Sequence, residues 1–279
     1  MAKSILALAL LAASSDAFQP KAAAPRATVA VSGIRSFLRR YAKGSDPLAR
    51  RQHWRRREQK RTKIVGVGGP RLLRRRGGGA EIKAETTALL LIEYQNEFTT
   101  EGGKLHDAVK DSMAATGMLE KSAKVAAAAR DKGVTVIHAP ISFAADGSDN
   151  PNKGLGILAG CAADKLFTAG EWGAEFHASM APAAGDLVVE GKKGLDAFPG
   201  TNLEQLLVDN KIESVALSGF LTNCCVESSM RTAYEKGFNT ITLTDLCATT
   251  SPEGQTGATE GTFGMFSAPM TGEEFLGKL

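Results

Sequence analysis

Three side chains with complementary chemistry stand at the ends of apolar segments. Glu93 ends the apolar run that begins at Ala88, Lys192 follows a second run, and Cys225 follows a third. A carboxylate can accept a thiol proton, a nearby ammonium stabilises the thiolate, and a thiolate attacks carbonyl carbon. Taken singly, the same residues have simpler roles, as a loop acid, a solvated lysine and a small core residue. Considered together, they are consistent with cysteine-dependent nucleophilic chemistry.

The segments that carry these residues alternate, from residue 86 onward, between short apolar runs and longer amphipathic stretches. This pattern is typical of a parallel sheet with helices on both faces. It predicts an α/β domain of three layers (αβα) around a mostly parallel, six-stranded, Rossmann-like sheet. The predicted strands are residues 88–93, 134–139, 186–190, 214–219, 240–245 and 265–269, and the predicted helices are residues 105–132, 202–210 and 223–236. Ligands of such sheets bind beyond the carboxyl ends of the strands, where the three side chains stand.

Charge divides the chain near residue 83. Residues 1–83 carry 20 Lys and Arg against four Asp and Glu, so residues 84–279 carry the other 14 basic and 26 acidic residues. An acidic folded part behind a basic leader favours a small-molecule substrate over nucleic acid as the partner. No run after the leader is long enough to cross a bilayer, so we expect no membrane association once the leader is removed. One folded domain is expected at residues 84–279.

The four cysteines all lie in the acidic part, at spacings that match neither a zinc ribbon nor a dense disulfide framework. Cys224 and Cys225 are adjacent, and neighbouring cysteines rarely bridge each other because the geometry is strained. We therefore expect a reducing compartment.

The leader contains two kinds of addressing segment. Residues 1–17 have the short charged start and apolar stretch of a signal peptide, and residues 18–83 are basic, poor in acids and expected to be a disordered transit or linker region. The motif Ala17-Phe18-Gln19-Pro20 resembles the junction of the bipartite leaders of algae with secondary plastids. Plastid targeting is the preferred interpretation, with a secreted or cytoplasmic protein as the alternative.

Three motifs occur in order along the folded part: an acid followed by x-Gln-x-x-Phe, a Lys nine residues before a Thr with Phe between, and Cys-Val-x-x-Ser. They are Glu93, Gln95 and Phe98; Lys192, Phe198 and Thr201; and Cys225 to Ser229. With these three motifs in this order, the folded part resembles the isochorismatase-like cysteine hydrolases, a family that includes nicotinamidases, N-carbamoylsarcosine amidase and ureidoacrylate hydrolases.

The motif spacing also chooses between neighbouring residues. The distance to Thr201 selects Lys192 rather than Lys193, and the valine that follows selects Cys225 rather than Cys224. The resemblance implies the isochorismatase-like hydrolase fold and a catalytic triad of acid, lysine and cysteine.

Two departures from the family limit what the resemblance implies. The family acid is usually Asp, and Glu93 is one methylene longer. The metal-binding Asp-x-His pair of the nicotinamidases is missing, with only His138 near that place. Neither a metal nor any other cofactor is expected, and nicotinamidase activity is disfavoured.

The resemblance implies hydrolysis of a small amide or ureido C–N bond through a thioester. Glu93 would accept the proton of Cys225, and Lys192 would stabilise a thiolate already present at neutral pH. The oxyanion hole would consist of the backbone amides of Leu221 and Cys225, with a cis peptide bond between residues 220 and 221.

Aromatic side chains are expected to line the substrate pocket. Phe98 and Phe198 are the predicted substrate-binding residues, with Phe143 beside them and Trp172 near the rim. A homo-oligomer is expected from the family resemblance alone.

Two other hypotheses remain open. In one, Glu93 has impaired the triad, and Cys224 and Cys225 serve as oxidisable thiols in a non-catalytic or redox-responsive protein. In the other, the basic leader binds RNA or DNA in a strongly salt-dependent manner.

Overall fold

The computed structural model describes residues 81–279. The predicted signal peptide and all but the last three residues of the predicted leader lie outside the described residues. Ile82, near the beginning of the described part, packs against the core.

A six-stranded sheet forms the centre of the domain. Its strands are β1 Thr87–Ile92, β2 Thr135–Ala139, β3 Leu187–Val188, β4 Ser214–Phe220, β5 Asn239–Ala248 and β6 Ala268–Met270. Their order across the sheet is β3-β2-β1-β4-β5-β6, and every pairing is parallel. The predicted six-stranded α/β architecture is confirmed.

The central strand β1 is buried along its whole length. Leu89 and Leu91 belong to one core cluster, whereas Leu90 and Ile92 belong to the other. Side chains alternate across a strand, so a continuous apolar run contributes to two cores, one on each face.

Helices cover both faces. They are α1 Asn96–Thr99, α2 His106–Thr116, α3 Met118–Asp131, α4 Gly156–Ala163, α5 Leu203–Asp209, α6 Glu227–Glu235, α7 Pro252–Thr256, α8 Phe263–Phe266 and α9 Gly272–Leu276. Side chains from α2, α3, α4 and α9 enter the first core cluster, and side chains from α5, α6 and α8 enter the second. The three predicted layers are thus present. No helix within residues 81–279 is long and apolar enough to span a membrane.

The helix predicted at residues 105–132 is in fact two helices. Gly117 separates α2 from α3 and has a φ of 64°. Glycine adopts this left-handed conformation at little cost, so the chain can turn there and begin a second helix. The continuous prediction was wrong because the alanine-rich stretch beyond this position favours helix regardless of the break.

The strand order reverses between β1 and β4, and the two strands approach closely there. Gly219, near the end of β4, has a φ of 122°, and a Cβ atom at this position would overlap the carbonyl oxygen of Ile92. The reversal of strand order opens a crevice beyond the carboxyl ends of the strands. Glu93 follows β1, and the segment containing Cys225 follows β4. The topology therefore places two of the predicted catalytic residues beside each other.

Candidate active site

Glu93 is the first residue after β1, and its side chain is only 3% exposed. Its φ of 58° lies in the left-handed region, which is uncommon for a residue with a Cβ atom. The Glu93 amide donates a hydrogen bond of 3.1 Å to the carbonyl of Ala139, the last residue of β2. This bond ties the turn to the neighbouring strand and helps to hold the unfavourable conformation.

Lys192 is the partner of that carboxylate. Its ammonium donates hydrogen bonds to Glu93 Oε1 and, at 2.7 Å, to the carbonyl of Gly194. Burial opposes the charge on Lys192, but interaction with the Glu93 carboxylate and with Cys225 outweighs burial and raises the pKa of Lys192. Lys192 is therefore a cation in a buried site.

Lys193 has a different environment from Lys192. Its ammonium lies 2.8 Å from Asp149 and donates a hydrogen bond to the carbonyl of Ser142. It thus fastens the segment after β2, and it is Lys192 that pairs with Glu93.

Gln95 joins the ends of two strands. Its side-chain nitrogen donates to the carbonyls of Ile141 and Ala174, at 2.8 and 2.7 Å, and its side-chain oxygen accepts from the Ile141 amide at 2.9 Å. The glutamine of the first motif therefore has a structural role. It holds the turn that carries Glu93 against the segment that follows β2.

Cys225 lies in a tight turn between β4 and α6, and we call residues Thr222–Val226 the nucleophile turn. The turn has π-type hydrogen bonding, and the Leu221 carbonyl accepts from the amides of Cys224 and Val226. The peptide bond between Phe220 and Leu221 is cis, as expected from the resemblance. Cys225 is 4% exposed and lies within electrostatic reach of both Glu93 and Lys192. The structure thus brings the three predicted catalytic side chains together.

The thiols of Cys224 and Cys225 ionise as a coupled pair. Interaction with the Cys225 thiol lowers the pKa of Cys224, although burial opposes this shift. The same interaction, followed by burial and by the charge of Glu93, raises the pKa of Cys225 well above its ordinary value, while Lys192 acts in the opposite direction. Glu93 thus opposes and Lys192 supports ionisation of Cys225, and a thiolate at Cys225 at neutral pH stays a prediction.

Ser229, the serine that ends the third motif, connects the site to the loop that contains Lys192. Its hydroxyl donates to the Cys225 carbonyl at 2.8 Å and accepts from the Ala197 amide at 2.9 Å. Ser229 is fully buried. This hydroxyl therefore joins the nucleophile turn to the loop that contains Lys192.

The predicted pocket aromatics do not form one group. Phe98 stacks on Phe220 with ring centroids 5.0 Å apart, and Phe143 belongs to the same core cluster. Phe198 belongs to the other cluster, where the Lys236 ammonium lies 5.7 Å from its ring centroid. These rings are core residues, and substrate contact by Phe98 and Phe198 stays a prediction.

Trp172 borders a cavity of about 420 Å³ on the surface. The cavity is lined by Glu97, Gly102, Lys104, Ala145, Lys165, Thr168, Glu171, Trp172 and Gly173. None of the three predicted catalytic residues lines it. The structure therefore does not place Trp172 at the rim of a cavity that contains them.

His138 belongs to a buried ionic network on β2. Its Nε2 lies 2.8 Å from Asp186, whose carboxylate also receives two hydrogen bonds from Arg130, at 2.8 and 2.7 Å. Burial, in the first place, lowers the pKa of His138, with Asp186 acting in the opposite direction. The network links the end of α3 to the beginning of β3.

Cys161 is a residue near the site that the sequence motifs did not indicate. It lies on α4, and its thiol feels the charges of Glu93, Cys224 and Lys192. Burial raises its pKa to about 12, so it is a neutral thiol. Nothing in its local sequence marks it, because α4 is short and uniformly apolar.

Comparisons with known proteins agree with this architecture. The family model for the Isochorismatase domain matches residues 87–274, which is most of the described part. The ureidoacrylate amidohydrolase of Variovorax paradoxus is 29% identical over 194 residues, covering 66% of this chain and 77% of the relative.

Two solved structures are similar in fold. A cysteine hydrolase from Pseudomonas syringae superposes with a TM-score of 0.63 at 22% identity, covering 71% of this chain and 94% of that chain. An isochorismatase family protein from Desulfovibrio vulgaris has a TM-score of 0.58 at 26% identity, and the match covers 68% of this chain and 96% of that chain. Because the family model spans the sheet and the residues that surround the buried ion pair, the chain belongs to the isochorismatase family.

Proposed function

We propose that this protein is an amidohydrolase that cleaves a small amide or ureido C–N bond with Cys225 as its nucleophile. The buried Glu93–Lys192 ion pair within electrostatic reach of the Cys225 thiol carries this proposal. An uncompensated buried charge is costly, and ionisable groups with strongly shifted pKa values cluster at functional sites. The similarity to the ureidoacrylate amidohydrolase of Variovorax paradoxus supports the choice of a C–N bond.

In the first half of the reaction, Glu93 takes the Cys225 proton as the sulfur attacks the carbonyl carbon. A general base is required because the pKa of Cys225 is raised. The ammonium of Lys192 stays protonated and stabilises the carboxylate before proton transfer and the developing thiolate during it. The Leu221 and Cys225 amides are the proposed donors to the oxygen of the tetrahedral intermediate.

In the second half, the C–N bond breaks and the leaving nitrogen takes the proton from Glu93 to depart as ammonia or an amine. The acyl group remains on the Cys225 sulfur as a thioester. Water then attacks the carbonyl carbon, Glu93 accepts a proton from that water, and the sulfur leaves and is reprotonated by Glu93. One water is consumed and the thiol is regenerated.

The direct test uses the full chain with a panel of small ureido acids, including ureidoacrylate, and simple amides. Ammonia release reports turnover, and mass spectrometry of acid-quenched enzyme locates the acyl group. We expect the adduct on the peptide containing residues 224 and 225, lost in Cys225→Ala and kept in Cys224→Ala. Turnover by Cys225→Ala would exclude this cysteine as the nucleophile.

Variants of the acid test its role. Glu93→Gln keeps the shape but cannot accept the proton, so kcat should fall by about 100- to 10,000-fold. Glu93→Asp keeps a carboxylate and should lose far less. Equal losses in the two variants would argue against proton transfer by Glu93.

One observation favours the alternative of a redox-responsive protein. The lowered pKa of Cys224 makes it the more readily oxidised thiol of the pair. That alternative expects normal folding, no turnover on any amide, and oxidation of both Cys224 and Cys225. Plastid targeting by the leader and assembly into a homo-oligomer stay proposals beside both functions.

A further inference from the structure

The nucleophile turn is attached to the segment that follows β5. Thr222, its first residue, is fully buried, and its hydroxyl donates a hydrogen bond of 2.7 Å to Gln255 Oε1. Gln255 lies on α7, 33 positions later in the sequence. A buried hydroxyl usually has a partner, and here that partner is a side chain from a distant segment.

The Gln255 amide is itself oriented by β5. The pairing of β4 with β5 is irregular here. Leu217 pairs with Thr242, but Gly219 pairs with Cys247, so β5 bulges between these two positions. Gln255 Nε2 donates to the carbonyls of Thr244 and Cys247, at 3.4 and 3.3 Å. Because Gln255 Nε2 faces these two carbonyl oxygens, Gln255 Oε1 faces the Thr222 hydroxyl.

Two further contacts strengthen the attachment. Thr249 donates a hydrogen bond of 2.7 Å to Asn223 Oδ1, the next residue of the nucleophile turn. Ser251 caps α7 by accepting from the Gly254 amide at 3.0 Å, which holds the helix that carries Gln255. The turn is therefore bonded at two successive residues to the chain after β5.

We infer that Thr222 and Gln255 are positioning residues of the active site, which set the place of the nucleophile turn through their mutual hydrogen bond. Thr222 stands between Leu221 and Cys225, whose amides are the proposed oxyanion donors. Such donors must be held within a fraction of an ångström, and a displacement of about 1 Å can cost about 100-fold in rate. Both residues act through the nucleophile turn, and the catalytic consequence rests on the proposed function.

The test is a double-mutant cycle on the full chain. Thr222→Val and Gln255→Leu should each lower kcat by about 10- to 100-fold while KM changes less than about 3-fold, because they displace groups used in the transition state. The double variant should be no slower than the slower single variant, because both remove one bond. Thr222→Ser keeps the hydroxyl and should restore most of the activity.

Two variants control for non-specific effects. Thr259 donates to the Gln255 backbone carbonyl at 2.9 Å, so Thr259→Val removes a hydrogen bond from the same segment without touching the turn. It should keep wild-type kcat. Gln255→Glu can still accept from Thr222 but turns a carboxylate oxygen towards the Thr244 and Cys247 carbonyls, so it should be impaired like Gln255→Leu.

The inference is overturned if Thr222→Val and Gln255→Leu fold and keep kcat, or if their effects multiply in the double variant. If the wild-type protein hydrolyses no amide, the proposed function fails and the inference is judged by alkylation. The ratio of iodoacetamide labelling at Cys225 to labelling at Cys224 should then change equally in both variants and stay unchanged in Thr259→Val. An unchanged ratio in Thr222→Val and Gln255→Leu would overturn it.

Discussion

Lys192 and Glu93, 99 positions apart in the sequence, form an ion pair inside the protein, with side chains that are 0% and 3% exposed. The pair costs desolvation energy on both sides, which an apolar pair would not. An ion pair at this place, beside Cys225 and where the strand order reverses, is what the proposed function requires.

Removal of one member of this pair should destabilise the protein. Lys192→Met leaves the Glu93 carboxylate buried without a counter-charge, and we expect a loss of about 3 to 5 kcal/mol in the free energy of unfolding. The double variant Glu93→Leu with Lys192→Met should recover much of the lost stability. Urea unfolding measures all three proteins.

Lys193→Met is the matched control for that experiment. Lys193 and its partner Asp149 are about one-third exposed, so the loss should stay below about 1 kcal/mol. A Lys192→Met variant no less stable than Lys193→Met would show that the buried pair is not coupled in the folded protein.

The four thiols should react with iodoacetamide in a definite order. The pKa of Cys224 is lowered and that of Cys225 is raised, whereas Cys161 and Cys247 are buried with pKa values raised to about 12. As pH rises, Cys224 should therefore label first. Residue-by-residue mass spectrometry on the native protein provides the titration curves.

Substitution of either Cys224 or Cys225 should shift the pKa of the other thiol. Cys225→Ala removes the donor that stabilises the Cys224 thiolate, so the pKa of Cys224 should rise. Cys224→Ala removes the largest contribution that raises the pKa of Cys225, so that pKa should fall. Unchanged titration of the remaining thiol in both variants would contradict the coupling.

The burial of His138 should make stability depend on pH. The pKa of His138 is lowered in the folded state, chiefly by burial, so the unfolded chain binds more protons just below its ordinary pKa of about 6.5. Stability should be fully present above that pH and decrease as pH falls through the lower pKa of the folded state. Burial raises the pKa of Asp186, but hydrogen bonds from Arg130, from the Ala183 amide and from His138 outweigh burial and lower it. The contribution of Asp186 to stability is therefore lost only in more acidic solution.

His138→Gln tests this interpretation, because it removes the titrating ring and keeps a side-chain nitrogen that can donate to Asp186. The urea midpoint of this variant, measured from pH 5 to 8, should vary less with pH than that of the wild-type protein. An identical slope in both proteins would assign the pH dependence to other groups.

Gly219 should not tolerate a side chain. Gly219→Ala would combine a positive φ with overlap against the Ile92 carbonyl, so we expect a loss of several kcal/mol, more than backbone strain alone at about 1 kcal/mol. Gly237 also has a positive φ, of 88°, but open space around it. Gly237→Ala should therefore show only the smaller loss in thermal or urea unfolding.

Much of this architecture could be predicted because it is local in the sequence. The run at β1 is apolar throughout, which is enough to identify a central strand buried on both faces. The three motifs identified Glu93, Lys192 and Cys225 as candidates, and parallel strands necessarily present their carboxyl ends at one edge. The break at Gly117 was missed because helix-favouring residues continue beyond it.

The sequence by itself determined the α/β class, the six strands in their order along the chain, and the family. Tertiary structure decided that Lys192 faces Glu93 while Lys193 faces Asp149, and that the Cys224 and Cys225 thiols shift each other's pKa. It also decided that Phe98 and Phe198 lie in different core clusters and that Gln255 reaches Thr222. These facts depend on contacts between residues far apart in the chain and on the charges that surround each buried group, which only the folded arrangement specifies.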